Sequence, residues 1–477
     1  MRSLPRGNTE GLQASPSIHL SPNKEQHPMT RRSRLWRLLA LLSIFALFAA
    51  ACGDDDDGGD EAAQEEGTET TEEGGDRAGA LEGMRGTTPL PADLPEEFRT
   101  RVQEVDPEVD DINYAAESYD AVMVITLAAQ IAGSDGIELA SEINGVTREG
   151  EKCTTYQDCL ELVQAGTDID YDGVSGPLEF AGNGEPTLGT YGLLEFGSDN
   201  RLLEDPDNQS AEFTPEEIEA IPDVQVEGTR AGDGVLKIGT LLPETGTLSF
   251  LGPPMIAATK LAVQEVNEAG GYNGQDIQLT EGDSGDTSTD TANTTVDREL
   301  SENVDAIVGA ASSAVTLTVI DKVVNAGVVL FSPANTSAAL TDYPDKGLYF
   351  RDAPPDALQG EVLAGMIADD GHSTLGMLVL NDPYGTGLAD AIQDNFEASG
   401  GEVVERIEYD PQASTFDAEV QRIRDADPDA VALITFEEGS RILATMVESG
   451  IGPQDIGVYG VDGNMGNALG EDFEAGE

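Results

Sequence analysis

Along residues 234–477, short apolar runs alternate with longer segments whose apolar positions recur every three or four residues. Val235–Leu242 (VLKIGTLL) is a β-rich run. Met255–Ala269 carries Ile256, Leu261, Val263 and Val266 at helical spacing and stops at Gly270-Gly271. Further strands are predicted at Ile277–Thr280, Ala306–Val308, Val328–Ser332, Leu375–Leu380, Val403–Tyr409, Ala430–Thr435 and Ile456–Tyr459. Helices are predicted between them, at Thr291–Glu302, Thr316–Asn325, Ala357–Ala368, Leu388–Ala398, Thr415–Arg424 and Ser440–Ser449. Fully apolar strands alternating with amphipathic helices imply parallel sheets covered by helices, an α/β fold. Ligands of such folds sit at the carboxyl ends of the strands.

The amino end follows another pattern. Arg31, Arg32, Arg34 and Arg37 precede the uncharged run Leu38–Ala51. A bilayer span takes ~20 residues, so this shorter run reads as a signal-peptide core ending in small residues. Met29 is then the expected start. Ala49-Ala50-Ala51-Cys52 resembles a bacterial lipobox, which implies lipidation at Cys52; Ala49 stands where that box usually has Leu. Residues 53–76 hold twelve Asp/Glu and no Lys/Arg. Such a stretch buries too little surface to offset its ordering entropy and is expected to be a disordered tether. A second acidic, Pro-containing stretch, 204–233, reads as a linker with a short helix near Thr214–Ala220. The expected division is therefore 1–52, 53–80, 81–203, 204–233 and 234–477.

Composition narrows the function. Lys+Arg is 25 and Asp+Glu 91, a net charge of −66. That disfavours nucleic acid as a partner, because phosphate binding needs clustered cations. With 3 Cys and 3 His, a His/Cys zinc site is not expected, and no metal is assigned. No nucleophile elbow, phosphate loop or metal-spaced His/Glu set is present in the sequence, so no catalytic residue and no cofactor are assigned. Cys153 and Cys159, in CTTYQDC, suit a small disulfide loop in an oxidising compartment; a redox pair usually has two residues between its cysteines.

The loops after the predicted strands carry the candidate chemistry: Gly309-Ala310-Ala311-Ser312-Ser313, Ser332-Pro333-Ala334-Asn335-Thr336-Ser337, Asn381-Asp382-Pro383-Tyr384-Gly385 and Gly460-Val461-Asp462-Gly463. Hydroxyls beside free N–H groups at a helix start suit a carboxylate. A carboxylate such as Asp462 suits an ammonium. Taken singly, each of these residues is as well explained as a helix cap. The case for a site rests on several converging.

The segments IGTLLPETG, LGPPMIAATKLAVQEVNEAGG, IVGAASSAVT, VLFSPANTSAALT, FRDAPPDALQG and LNDPYGTGL resemble the periplasmic leucine/isoleucine/valine-binding proteins, the solute receptors of branched-chain amino acid ABC transporters. The resemblance covers nearly all of 235–477. It implies two α/β lobes, each a mostly parallel sheet flanked by helices, closing on a small amino acid. It also implies an exported protein whose partner is an ABC transporter permease; the lipobox at Cys52 implies the anchor on the outer face of the membrane. Matching positions give Ser313, Thr336 and the Asn335 backbone to the ligand carboxylate. Tyr384 would cover the ligand, Asp462 would take its ammonium and Phe436 would line the side-chain pocket. Leu251 stands where relatives often carry Tyr, which leaves an amide, urea or an aromatic acid as the alternative ligand.

A domain of this family should not stop near Glu477. Residues 83–200 read as its missing end. GMRGTTPLP resembles a crossover, Phe98–Val105 and Ser118–Ala132 read as helices, and Asp172–Phe180 with Thr190–Phe196 reads as a closing hairpin turning at Gly182-Asn183-Gly184. The chain is thus expected to be circularly permuted, tail before head; the alternatives are an unrelated insert, a tandem duplication that lost both ends, or a gene-assembly error, and the sequence does not separate the last two from a permutation.

Overall fold

The structure is a computed structural model that describes residues 79–91, 94–204, 206–471 and 473. The expectations for the signal segment, Cys52 and the acidic tether lie outside the described residues, Gly79 and Ala80 excepted. Two large sheets organise the chain. The first lobe holds five parallel strands in the order Tyr349–Arg351, Val329–Ser332, Ala306–Gly309, Lys237–Leu241 and Gln278–Thr280. Ala306–Gly309 and Val329–Ser332 are buried along their whole length, as the apolar runs predict for strands covered on both faces.

The second lobe holds seven strands. Glu402–Tyr409, Thr374–Leu380, Ala430–Ile434 and Gly457–Gly460 run parallel. Arg85–Pro89, from the amino-terminal segment, adds beside Gly457–Gly460 in parallel register, with Gly86 opposite Gly460. Leu188–Glu195 and then Asp207–Glu212 extend the sheet as antiparallel strands. Gly86 is required at its place. A Cβ there would lie 2.6 Å from the Gly460 carbonyl oxygen and 2.6 Å from the Met465 side chain.

The helices Glu96–Val105 and Ala115–Ala132 cross to the first lobe and pack on Gly252–Glu268. Ala115 through Ala129 are all buried, Glu117, Ser118, Asp120 and Thr126 included, so this helix is covered all round. Phe98 meets Tyr119 edge-on at 5.5 Å, and the Tyr119 hydroxyl donates to Glu265 at 2.5 Å. Residues 83–200 and 235–473 therefore share their sheets and cores, as expected for one two-lobed unit.

Two expectations need correction. The hairpin does not form as read. Ile169–Gly173 and Gly176–Pro177 pair with one another, and Glu151–Cys153 joins them in a small separate sheet. Tyr171 and Phe180 stay in the core of the first lobe, where Phe180 lies 6.1 Å from Phe331. At the expected turn a single bridge links Phe180 and Pro186. Pro177 and Pro186 have no N–H to extend a ladder, so Leu188–Glu195 pairs elsewhere. Nor is 204–233 a free linker. Asp207–Glu212 is a strand, and Pro215–Ala220 is the short helix, with a Thr214/Glu217 capping box. Beyond it, Val224 N–H donates to the Gly182 carbonyl and Glu227 N–H to that of Lys346. Arg230 pairs with Asp305 at 2.9 Å.

Cys153 and Cys159 are bonded, with their Cα atoms 5.3 Å apart. The second of them lies on a helix, Tyr156–Ala165, whose Thr155 cap accepts from Asp158 N–H.

Candidate functional site

The cleft between the lobes is built from strand ends. After Ala306–Gly309 the chain turns into the helix Ser313–Asn325, capped by Ser312, whose side chain accepts from Val315 N–H. After Val329–Ser332 the loop 333–337 folds back over it. Ser332 Oγ donates to the Ala310 carbonyl at 2.7 Å. Asn335 Nδ2 donates to the carbonyls of Ala310 and Ala311 at 3.0 and 2.9 Å. The Tyr349 hydroxyl donates to Asn335 Oδ1 at 3.0 Å. Asn335 is thus a brace between two loops. Its backbone N–H, expected to face a ligand carboxylate, is donated to Ser332 Oγ at 2.9 Å. A short polar loop at a strand end must satisfy its own buried groups first, and that requirement takes this N–H.

Arg351 holds the same loop from below. It is fully buried, and its Nη1 donates to the carbonyls of Asn335 and Ser337, at 3.4 and 2.9 Å, on either side of Thr336. Its Nε donates to Glu185 Oε2 at 2.9 Å. Glu185 belongs to the amino-terminal segment, so the loop's geometry depends on both parts of the chain.

The opposite wall comes from the second lobe. Asp382 caps the helix Pro383–Ala398 by accepting from Gly385 N–H at 2.7 Å, which fixes Tyr384 in the first turn. The Tyr384 hydroxyl donates to Asp462 Oδ1 at 2.7 Å, and the Tyr114 hydroxyl donates to Oδ2 at 2.6 Å. The Tyr384 ring stacks on Phe436 with centroids 5.3 Å apart. Asp462 is 4% exposed. Burial pushes its carboxyl above the usual range, and the two tyrosine hydrogen bonds pull it back. A carboxylate offers about four lone-pair sites. The Tyr114 and Tyr384 hydroxyls take two of them, and the Gln359 side chain and Gly463 N–H also favour the carboxylate.

Leu251, Ser313, Thr336, Tyr384, Phe436 and Asp462 line one cavity of about 20 Å³. That is far below the ~300–1,000 Å³ common for ligand pockets. Asn335 is not part of this lining. Tyr114 is, and no sequence pattern marked it. It precedes the helix Ala115–Ala132 at φ 59°, a left-handed conformation usually left to Gly or Asn. The cavity offers hydroxyls on one wall, a carboxylate on the other, and aromatic and aliphatic surface between. This arrangement can bind an anion and a cation at opposite ends of one small molecule. Among the described residues no group of three or more His, Cys, Asp or Glu converges.

Residues 235–476 match the model of a family described as periplasmic binding protein. The match takes in just over half of the chain, and the chain belongs to that family. The chemotactic signal transduction system substrate-binding protein BasB of Halobacterium salinarum is 29% identical over 205 residues, covering 41% of this chain and 49% of that protein. Leu/Ile/Val-binding protein homolog 1 of Brucella abortus is 27% identical over 245 residues, covering 50% and 64%. The chain thus spans about half to two thirds of the length of these curated relatives. A solved structure of the branched-chain amino acid transporter substrate-binding protein LivJ of Streptococcus pneumoniae, in complex with isoleucine, is 25% identical with a TM-score of 0.45. It covers 50% of this chain and 67% of that one. The leucine-binding protein LivK of Thermotoga maritima is 23% identical, with coverage of 50% and 67% and a TM-score of 0.44.

Proposed function

We propose that this member of the periplasmic binding protein family is an extracytoplasmic receptor that binds a small branched-chain-like amino acid and delivers it to an ABC transporter permease. The carrying observation is the pairing of Ser313 and Thr336 with Asp462 across one cavity. The hydroxyl wall takes the carboxylate, Asp462 takes the ammonium, and Leu251 with Phe436 takes the side chain. Binding, without catalysis, is the whole of the proposed activity. A charge-assisted hydrogen bond contributes ~1.5–3 kcal/mol net. Asp462→Ala should therefore weaken an amino-acid ligand about 10- to 100-fold. Calorimetry of leucine, isoleucine and valine beside neutral amides, urea and benzoate checks this. Equal affinity in the variant would remove the ammonium role. Tighter binding of a solute without an amino group would move the ligand class to the alternative.

The protein is further proposed to be a lipoprotein held at the outer face of the membrane through Cys52, on the strength of its basic cluster, apolar run and acidic tether. Lipid labelling in a bacterial host should disappear in Cys52→Ala; labelling that persists would rule it out. Residues 81–203 are proposed to be the family's carboxyl-terminal part, displaced to the front by circular permutation. The strand Arg85–Pro89 lying beside Gly457–Gly460, and the helices 96–132 lying on the first lobe, support that reading.

A further inference from the structure

Three short connections between the lobes run past one another on the side of Pro89, Pro186 and Pro354, apart from the cleft residues. One leaves the strand Arg85–Pro89, one enters Leu188–Glu195, and one leaves Tyr349–Arg351. Between them lies a second cavity, of about 30 Å³. Pro89, Pro91, Pro177, Pro186 and Pro354 line it, and none of these carries an N–H. Its hydroxyls are Ser175 and Thr190, its ionisable groups are Glu117 and Asp352, and no Lys, Arg or His faces it.

The two carboxylates are 4% and 3% exposed. Neither oxygen of Asp352 has a hydrogen-bond partner. A buried unpartnered carboxyl costs several kcal/mol unless it is neutralised. The neighbouring Asp120 differs. It accepts from the Tyr171 hydroxyl, from Val174 and Ser175 N–H, and from Ser175 Oγ, so its charge is provided for within the chain. Burial raises Glu117 to about 8 and Asp352 well above its ordinary value, with Asp120 adding repulsion to both. The cavity therefore holds two buried carboxyls, one of them unpartnered, and no facing cation.

We propose that this inter-lobe cavity binds a divalent cation of calcium size, held by Glu117 and Asp352 with carbonyl and hydroxyl oxygens completing its shell. An all-oxygen surround with two carboxylates matches calcium in ligand type and in charge. Magnesium demands a tighter octahedral shell and holds its water. Because no third Asp, Glu, His or Cys side chain joins the pair among the described residues, main-chain oxygens must supply much of the coordination. A cation there would tie the three connections together at the place where opening of the lobes must bend them.

The test is calorimetric titration of the full chain with calcium chloride alone, after chelator treatment. High sodium chloride screens the other carboxylates. Wild type should show one saturable site and a melting temperature that rises with calcium. Asp352→Asn and Glu117→Gln should each bind at least tenfold more weakly and lose that rise, and magnesium should substitute poorly. Variants that bind calcium as wild type does, or a wild type with only unsaturable uptake, overturn the proposal and leave a shared proton as what neutralises the pair. Should either variant fail to fold, terbium luminescence on wild type decides. Tyr171, whose hydroxyl donates to Asp120, is the sensitiser. One-to-one emission displaced by calcium supports the site, and its absence removes it.

Discussion

Glu299, on the helix Thr291–Ser301, has its side chain wholly buried, and neither carboxylate oxygen has a hydrogen-bond partner. Arg298 approaches only to 3.6 Å. A Cβ on Gly239 would touch this carboxyl, so the strand Lys237–Leu241 lies directly on it. Burial raises the group from 4.5 to about 8, with Arg298 opposing the shift. The sign follows from which state holds the proton. Below 4.5 both folded and unfolded chains are protonated here. Between 4.5 and about 8 the unfolded chain has released its proton and the folded chain has not, so this group's contribution to stability falls as pH rises. The total is on the order of a few kcal/mol, at about 1.4 kcal/mol per pH unit. Glu299→Gln should remove this dependence. Denaturant unfolding should find the variant level with wild type near pH 4.5 and clearly more stable at pH 8; an unchanged difference across that range would show that the carboxyl is already satisfied. Asp462 presents the opposite arrangement at the same scale. It too is buried, but two tyrosine hydroxyls are aimed at it.

Elements differ in how plainly they were written. Ala306–Gly309, Val329–Ser332 and Ala430–Ile434 are unbroken apolar runs, and buried parallel strands leave no other reading of them. Asp207–Glu212 was hidden for the converse reason. Only Ala211 is buried in DNQSAE, and an edge strand of polar residues is held by main-chain hydrogen bonds that no side-chain pattern records. Tyr349–Arg351 was hidden by its arginine, a residue that reads as surface until Glu185 and the loop carbonyls are seen around it. The helix Gly252–Glu268 starts three residues before the expected Met255, because Pro253-Pro254 reads as a loop and in fact sits in the first turn. In the site, strand-end hydroxyls and Asp462 were legible by position. Tyr114 was not, since its place depends on a distant segment folding back. Asn335 was legible as a loop residue but not as a brace, because its four partners come from three different stretches of chain.

At the scale of the molecule, the two parts of the chain meet without a covalent bond over most of their contact. Arg85–Pro89 is seated between Gly457–Gly460 and Leu188–Glu195, and the helices Glu96–Val105 and Ala115–Ala132 lie on Gly252–Glu268. Among the described residues the covalent path between the two parts is the stretch from Phe213 to Gly234, much of it irregular and exposed. Such a segment is where proteases cut first. A nick between Ile221 and Asp233 would turn one polypeptide into a two-chain protein whose halves stay associated through a shared sheet and core. Limited proteolysis should yield two fragments that co-elute in native buffer and part only in denaturant. Gly86→Val, which forces a side chain against the Gly460 carbonyl, should let them separate. If nicked wild-type halves drift apart unaided, the shared sheet is weaker than its register implies. If they hold, the halves can be expressed from separate genes and mixed, and their reassembly read out as recovered ligand binding.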